Sequence, residues 1–196
     1  RHLIFGTYGE HETFFTMKGE IDALLQLLNV KPAEYVANRE NPSYHPGRCA
    51  DILIDGKLAG TIGQIHPLVA EAYGIGGEVY VADLDFTTIE ASLAEERVFH
   101  SLPRFPAVTR DLALVCDESL TVGELERCIS AAAGKLLRKI NLFDIYRGPG
   151  VAAGKKSVAF SLELRADDRT LTDEDSTGVV DKVLKALKEE KDVTLR

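Results

Sequence analysis

The sequence predicts an α+β protein whose second half follows the order βαββαβ. Three observations carry this. Apolar residues alternate with period two in runs such as VTRDLALVCD and KSVAFSLELR, the spacing of half-buried strands. Two longer stretches, opened by Thr121-x-x-Glu124 and Thr172-x-x-Asp175, switch to the helical period behind capping-box residues. Asp55-Gly56 and Gly148-Pro149-Gly150 punctuate the strands with tight turns. At 196 residues and 45% hydrophobic content, the chain suits one large domain or two small ones.

In the first half, LIFGTY reads as a strand, and FFTMKGEIDALLQLLNVKP holds a helix with Ile21, Leu24, Leu25 and Leu28 on one face. Pro32 helps to stop it. ADILID, Asp55-Gly56 and LAGTIGQI make a hairpin, because Asp-Gly tolerates the positive φ of a two-residue turn. A short helix, PLVAEAYG, then leads through Gly76-Gly77 to the strand EVYVADLDF. The pattern is antiparallel α+β. Arg1 is followed at once by a strand with few elements to cover it, which predicts a fragment of a longer chain.

A break follows near EERVFHSLPRFPAV, where Pro103 and Pro106 interrupt any helix or central strand. It sets a boundary at about 95–103 and two domains, 1–97 and 98–196. No internal repeat or low-complexity tract appears.

In the second half, VTRDLALVCD is a strand. Thr121 caps a helix whose stripe is Val122, Leu125, Ile129, Ala132, Leu136 and Ile140. NLFDIY and KSVAFSLELR are strands, Thr172 caps a helix carrying Val179, Val183 and Leu187, and VTLR closes as a strand. The βαββαβ order is that of a ferredoxin-like domain. Two helices cover one face of its four-stranded sheet, which leaves the other face open. Opposite the core residues Leu112, Leu114, Val158, Phe160 and Leu162 lie Asp111, Ala113, Ser157, Ala159 and Ser161. If Phe143 and Ile145 point inward, the period of two puts Leu142, Asp144 and Tyr146 on the open face as well. Small and polar residues around one tyrosine suit a splayed-out base: the ring offers a stacking plane and Asp or Ser can read an edge. The bland alternative is that Tyr146 ends a strand and covers apolar surface.

The formal net charge of −8 argues against a nucleic-acid partner, because grip on phosphates comes largely from Lys and Arg. The distribution softens that objection. Residues 1–97 hold 7 Lys+Arg against 15 Asp+Glu, whereas 98–196 hold 16 of each. No run of 18 apolar residues and no signal-peptide start is present, so the expected location is cytoplasmic, away from membranes. Cys49, Cys116 and Cys128 are widely spaced and read as buried thiols.

Other motifs resolve into local roles. His45 in YHPGR and His66 in GQIHP lack the i, i+4 spacing and the nearby His or Cys partners of a zinc site, and read as turn and hydrogen-bonding residues. Arg48 suits a fixed polar contact. Gly74, Gly76 and Gly77 precede a strand where a phosphate loop would precede a helix. In DDRTLTDED, the acids Asp173, Glu174 and Asp175 suit the positive end of the last helix, with Arg169 near enough to pair with one of them. Asp181 with Lys185, and Lys185 with Glu189, are i, i+4 pairs of a solvated face. Nothing assembles a nucleophile, a base and an oxyanion donor.

FTMKGEIDALL, HPGRCADILIDGKLAGTIGQIHP, LPRFPAVTRDLALV, LFDIYRGPG, GKKSVAFSLELRADDRTLTDE and the terminal TLR together resemble the carboxy-terminal region of the bacterial phenylalanyl-tRNA synthetase beta chain. The matches run in order from about residue 14 to the last residue. By this resemblance, residues 1–97 are a non-catalytic class II synthetase-like module, truncated at its start, that packs on the alpha chain. Residues 98–196 are then the ferredoxin-fold anticodon-binding domain.

The resemblance further implies that Tyr146 and Ser157 meet the anticodon of phenylalanine tRNA. Ala113 joins them as a close-approach position, Asp144 as a base-edge acceptor, and Arg147 and Arg196 as phosphate contacts. The whole enzyme it implies is an alpha2-beta2 heterotetramer that uses ATP and Mg²⁺ to attach phenylalanine to tRNA, with the chemistry in the alpha chain. No catalytic, metal or cofactor residue is assigned to this chain. Two other functions remain open: a ferredoxin-like small-molecule regulatory module, which needs a concave, partly apolar pocket, and a hydrolase using His45 or His66.

Overall fold

The computed structural model describes residues 1–93 and 102–196. The chain divides into two compact units, Arg1–Phe99 and His100–Arg196. The break expected at 95–103, and the boundary between 97 and 98 within it, lies almost wholly outside the described residues.

The first unit runs β1 (His2–Tyr8), α1 (Phe14–Leu27), β2 (Glu34–Ala37), β3 (Tyr44–Ile54), β4 (Lys57–Ile65), α2 (Pro67–Ala72), β5 (Val79–Asp85) and α3 (Phe86–Ala91). Its strands form one antiparallel sheet in the order β1-β5-β4-β3-β2. The hairpin turn has φ of 49° at Asp55 and 75° at Gly56, the two positive values that a type I′ turn demands. Thr13 caps α1, which buries Met17, Ile21 and Leu25 against Ile52, Ile62, Ala82 and Leu84 of the sheet.

Two short elements, β2 and α3, were not legible in the sequence. The four residues of β2 are too few to show alternation. The helix α3 follows β5 without a break: Asp85 ends the strand and also caps the helix, accepting from the Thr87 N–H at 3.0 Å. The strand β3 also begins six residues earlier than ADILID and takes in His45-Pro46-Gly47-Arg48. The ladder with β4 is irregular between Tyr44 and Cys49, the kind of place where a sheet tolerates proline.

The second unit runs β6 (Val108–Asp117), α4 (Val122–Ala133), β7 (Leu137–Tyr146), β8 (Lys155–Leu164), α5 (Asp173–Lys191) and β9 (Thr194–Leu195). The antiparallel sheet has the order β7-β8-β6-β9, the ferredoxin-like arrangement. Reciprocal capping boxes start both helices, Thr121 with Glu124 and Thr172 with Asp175. Leu125 and Ile129 of α4 and Val179, Val183 and Leu187 of α5 close over Leu112, Leu114, Val158, Phe160 and Leu162.

Two expectations need correction. The stripe assigned to the first helix of this unit runs past its end. Gly134 adopts φ 64° and stops α4 at Ala133, so Leu136 sits in a 3-10 turn and Ile140 in β7, although both still pack on the core. The alternation in β7 is also broken. Leu142 pairs with Phe160 and Asp144 with Ala159, so Phe143 is the extra residue of a bulge and is 55% exposed. Leu142 therefore shares the helix-covered face with Phe160, whereas Asp144 and Tyr146 stay on the open face.

Candidate nucleic-acid interface

The register of the second sheet places five of the six candidate residues in two adjacent rows on its helix-free face. One row crosses the strands as Tyr146, Ser157, Val115 and Thr194. The next runs Asp144, Ala159 and Ala113 to Arg196, whose backbone N–H donates to the Ala113 carbonyl at 2.8 Å. Paired residues in an antiparallel ladder project to the same side, so the rows form one patch drawn from all four strands. Leu112, Leu114, Val158 and Phe160 alternate with them and are held by the core beneath. The sheet is thus a rigid platform for the patch.

The patch is not bare at its centre. Ser157, between Val115 and Tyr146, is only 3% exposed, and Ala159 is also buried. The Arg196 guanidinium carbon lies 4.9 Å from the centre of the Tyr146 ring, a stacking contact between the two outer ends of the sheet. Only small side chains at Ala113, Ala159 and Ser157 leave room for a contact spanning β6 and β8. The Gly-Pro-Gly turn wraps the rim of the tyrosine. Its hydroxyl donates to the Pro149 carbonyl at 3.3 Å, and a Cβ at Gly148 would fall 2.7 Å from the hydroxyl oxygen. The turn therefore packs closely on the ring edge, and a side chain at position 148 would push the ring aside.

Asp144 is exposed beside this stack and could accept a hydrogen bond from a base edge. Arg147 is turned elsewhere. Beyond the end of β7, it grips Glu118 in a fork: Nε lies 3.0 and 3.2 Å from the two carboxylate oxygens, and Nη2 lies 2.7 Å from Oε1. The Arg147 hydrogen bonds hold the Glu118 carboxyl below its usual range. Lys156, buried on the other face, donates to the Glu118 carbonyl at 3.0 Å. The pairing of Arg147 with Glu118 and of Arg196 with Tyr146 was not foreseen from sequence. The one available signal was that Arg196 shares the parity of Thr194, and it could be used only once β9 was known to pair with β6.

The other singled-out residues serve local structure. His45 accepts from the Gly47 N–H, and His66 caps α2 by accepting from Leu68. Arg48 donates to Gln64 at 2.7 Å, Glu78 at 2.8 Å and Tyr80 at 3.3 Å. Hydrogen bonds from Tyr80 and then Arg48 hold the Glu78 carboxyl low. Burial pushes the Cys49 thiol up to about 11, so this sulfur is a protonated packing group. Arg169 pairs with Asp175 at 3.1 Å at the start of α5. Among the described residues, no group of three or more His, Cys, Asp or Glu could hold a metal ion, and no helix is long and apolar enough to cross a membrane.

Comparison with known proteins gives matches over both units. The family model described as "Phenylalanyl tRNA synthetase beta chain CLM domain" matches residues 1–86. The model described as "Ferredoxin-fold anticodon binding domain" matches residues 103–196. Three curated relatives are all named phenylalanine–tRNA ligase beta subunit. That of Symbiobacterium thermophilum is 45% identical over 175 residues, 89% of this chain and 20% of the relative. That of Bacillus subtilis is 43% identical over 183 residues, 93% of this chain and 23% of the relative. That of Clostridium acetobutylicum is 38% identical over 185 residues, 94% and 23% respectively. The chain thus spans about a fifth to a quarter of the length of these relatives.

Proposed function

The chain belongs to the phenylalanyl-tRNA synthetase beta chain family, and from that premise we propose that it is the anticodon-binding and subunit-packing part of a phenylalanine–tRNA ligase. The observation that carries the proposal is the two-row patch on the helix-free sheet face. It joins an aromatic plane at Tyr146 to a carboxylate at Asp144 over small residues at Ala113 and Ser157. Such a surface stacks an unpaired base and reads its edge, whereas a closed duplex offers it no base face.

Within this proposal Tyr146 stacks an anticodon base, Asp144 and the Ser157 hydroxyl accept or donate at its edge, and Arg196 supplies positive charge beside it. The second unit balances 16 basic against 16 acidic residues from 98 onward. Its own hold on phosphates is therefore modest, and the assembled enzyme supplies the rest. The first unit packs on an alpha chain in an alpha2-beta2 assembly in the cytoplasm. ATP and Mg²⁺ supply amino-acid activation in that whole enzyme. In this proposal the chemistry belongs to the alpha chain.

The test is a salt-dependent titration with phenylalanine tRNA and with a tRNA of altered anticodon. Tyr146→Ala should weaken binding of the native tRNA by about 1–3 kcal/mol, the range for loss of a stacked base. It should also erase the preference between the two tRNAs. Unchanged affinity in a folded variant would remove Tyr146 from the site. Equal binding of both tRNAs by the unaltered protein would remove the reading itself.

A further inference from the structure

We propose that Arg196 is the second wall of a base-binding slot, so that an anticodon base inserts between the Tyr146 ring and the Arg196 guanidinium. This rests on the anticodon-binding reading and assigns Arg196 a role other than a phosphate contact.

Four observations carry it. The guanidinium carbon lies over the Tyr146 ring, 4.9 Å from its centre, on the face that a base would use. Planar guanidinium groups stack flat on aromatic and nucleobase faces, whereas a lysine ammonium offers only a point charge over the ring. Several other arginines of this unit are held by carboxylates, with Arg110 on Asp173, Arg138 on Asp167, Arg147 on Glu118 and Arg169 on Asp175. The Arg196 side chain has no acidic partner among the described residues, and its guanidinium lies over the ring. The two walls also differ in how firmly they are held. Tyr146 is fixed at its rim by Gly148 and Pro149. Arg196 is anchored through its backbone N–H on Ala113, which leaves its exposed side chain to move.

The free state is accordingly a closed slot with guanidinium on ring, and the bound state is one aromatic layer wider. Opening costs a single stacking contact and breaks no ion pair. The bound base gains a face on each side. Because the base replaces Arg196 on the ring and receives it on its own far face, both contacts depend on the base and not on its phosphate.

The experiment uses the full-length polypeptide carrying this sequence and three phenylalanine tRNAs, each abasic at one anticodon position. The variants are Arg196→Ala, Arg196→Lys and Tyr146→Ala. With intact tRNA, Arg196→Ala should weaken binding about tenfold, and Arg196→Lys should restore little of it because the charge returns without the plane. One abasic position should abolish the penalty of both Arg196→Ala and Tyr146→Ala. The proposal is overturned if the Arg196→Ala penalty persists on all three abasic tRNAs, or if Arg196→Lys binds like the parent, since both are the signature of a phosphate contact. It is also overturned, along with the reading beneath it, if the unaltered protein binds intact and abasic tRNAs equally. Thermal melting of each variant separates these results from misfolding, since residue 196 keeps its backbone bond in all of them.

Discussion

At the scale of single residues, what a side chain can offer RNA depends on what already holds it. Arg147 and Arg196 look alike in the sequence, as two arginines beside the same strand system. In the fold, one is locked by a carboxylate and the other rests on a ring. The Glu118 carboxyl is held below its usual range by Arg147. A lowered acid keeps its charge above its folded pKa and loses it as pH falls through that value, so at neutral pH Glu118 is charged and pairs with Arg147, and a phosphate would have to compete with it. Glu118→Gln should release it. The expected outcome is tighter but anticodon-independent tRNA binding, with the slope of log affinity against log salt steeper by about one phosphate contact. An unchanged slope in the titration would show that Arg147 stays engaged without its acid. Distances between side chains were out of reach of the sequence because they depend on cross-strand register, which no periodicity reports. The aromatic position itself was legible, since alternation outward from inward Ile145 needs only one strand.

At the scale of elements, the second unit's order and caps could be read directly, because capping boxes and strand alternation are local signals. The bulge in β7 was not. Assuming strict alternation, inward Phe143 and Ile145 imply outward Leu142, Asp144 and Tyr146. The structure keeps Asp144 and Tyr146 outward but returns Leu142 to the side of Phe160, with Phe143 as the extra residue. A bulge costs one residue and leaves the pattern on each side intact, so a single apolar run cannot announce it. The extension of α4 over Leu136 and Ile140 failed for a related reason: the helical and strand periods coincide at those positions, and only the positive φ of Gly134 separates the elements. The choice of core face has a direct measure. Phe160 is fully buried between Leu112 and Leu142 in the ladder. Phe160→Ala should lose about 3–5 kcal/mol of folding stability in denaturant titration. A small change would mean that the helices cover the other face, and with it the assignment of the RNA side would fall.

At the scale of the whole molecule, the two units carry different work in their surfaces. The acidic excess lies in residues 1–97, and the second half is balanced, so only the second unit can approach a polyanion without net repulsion. The first unit instead exposes apolar side chains on the sheet face opposite α1, among them Ile4 at 65% and Tyr8 at 81% exposure on the edge strand β1. Leu3 and Phe5, which alternate with Ile4, pack on the core, so the outward residues are not needed to close it. They share that face with His2, Asp83 and Asp51, so it offers two apolar anchors in a polar surround, and the proposed packing on an alpha subunit would use them. Replacing Ile4 and Tyr8 together by Lys, which sets no like charge opposite Asp83, should lower the melting temperature by only a few degrees, because surface changes of this kind cost roughly 0.5 kcal/mol or less each. Recovery of the heteromeric assembly with the alpha chain by gel filtration should nevertheless fall sharply. Normal assembly would place the subunit contact elsewhere on the first unit. A larger fall in melting temperature would instead mean that this face belongs to the fold and not to a partner.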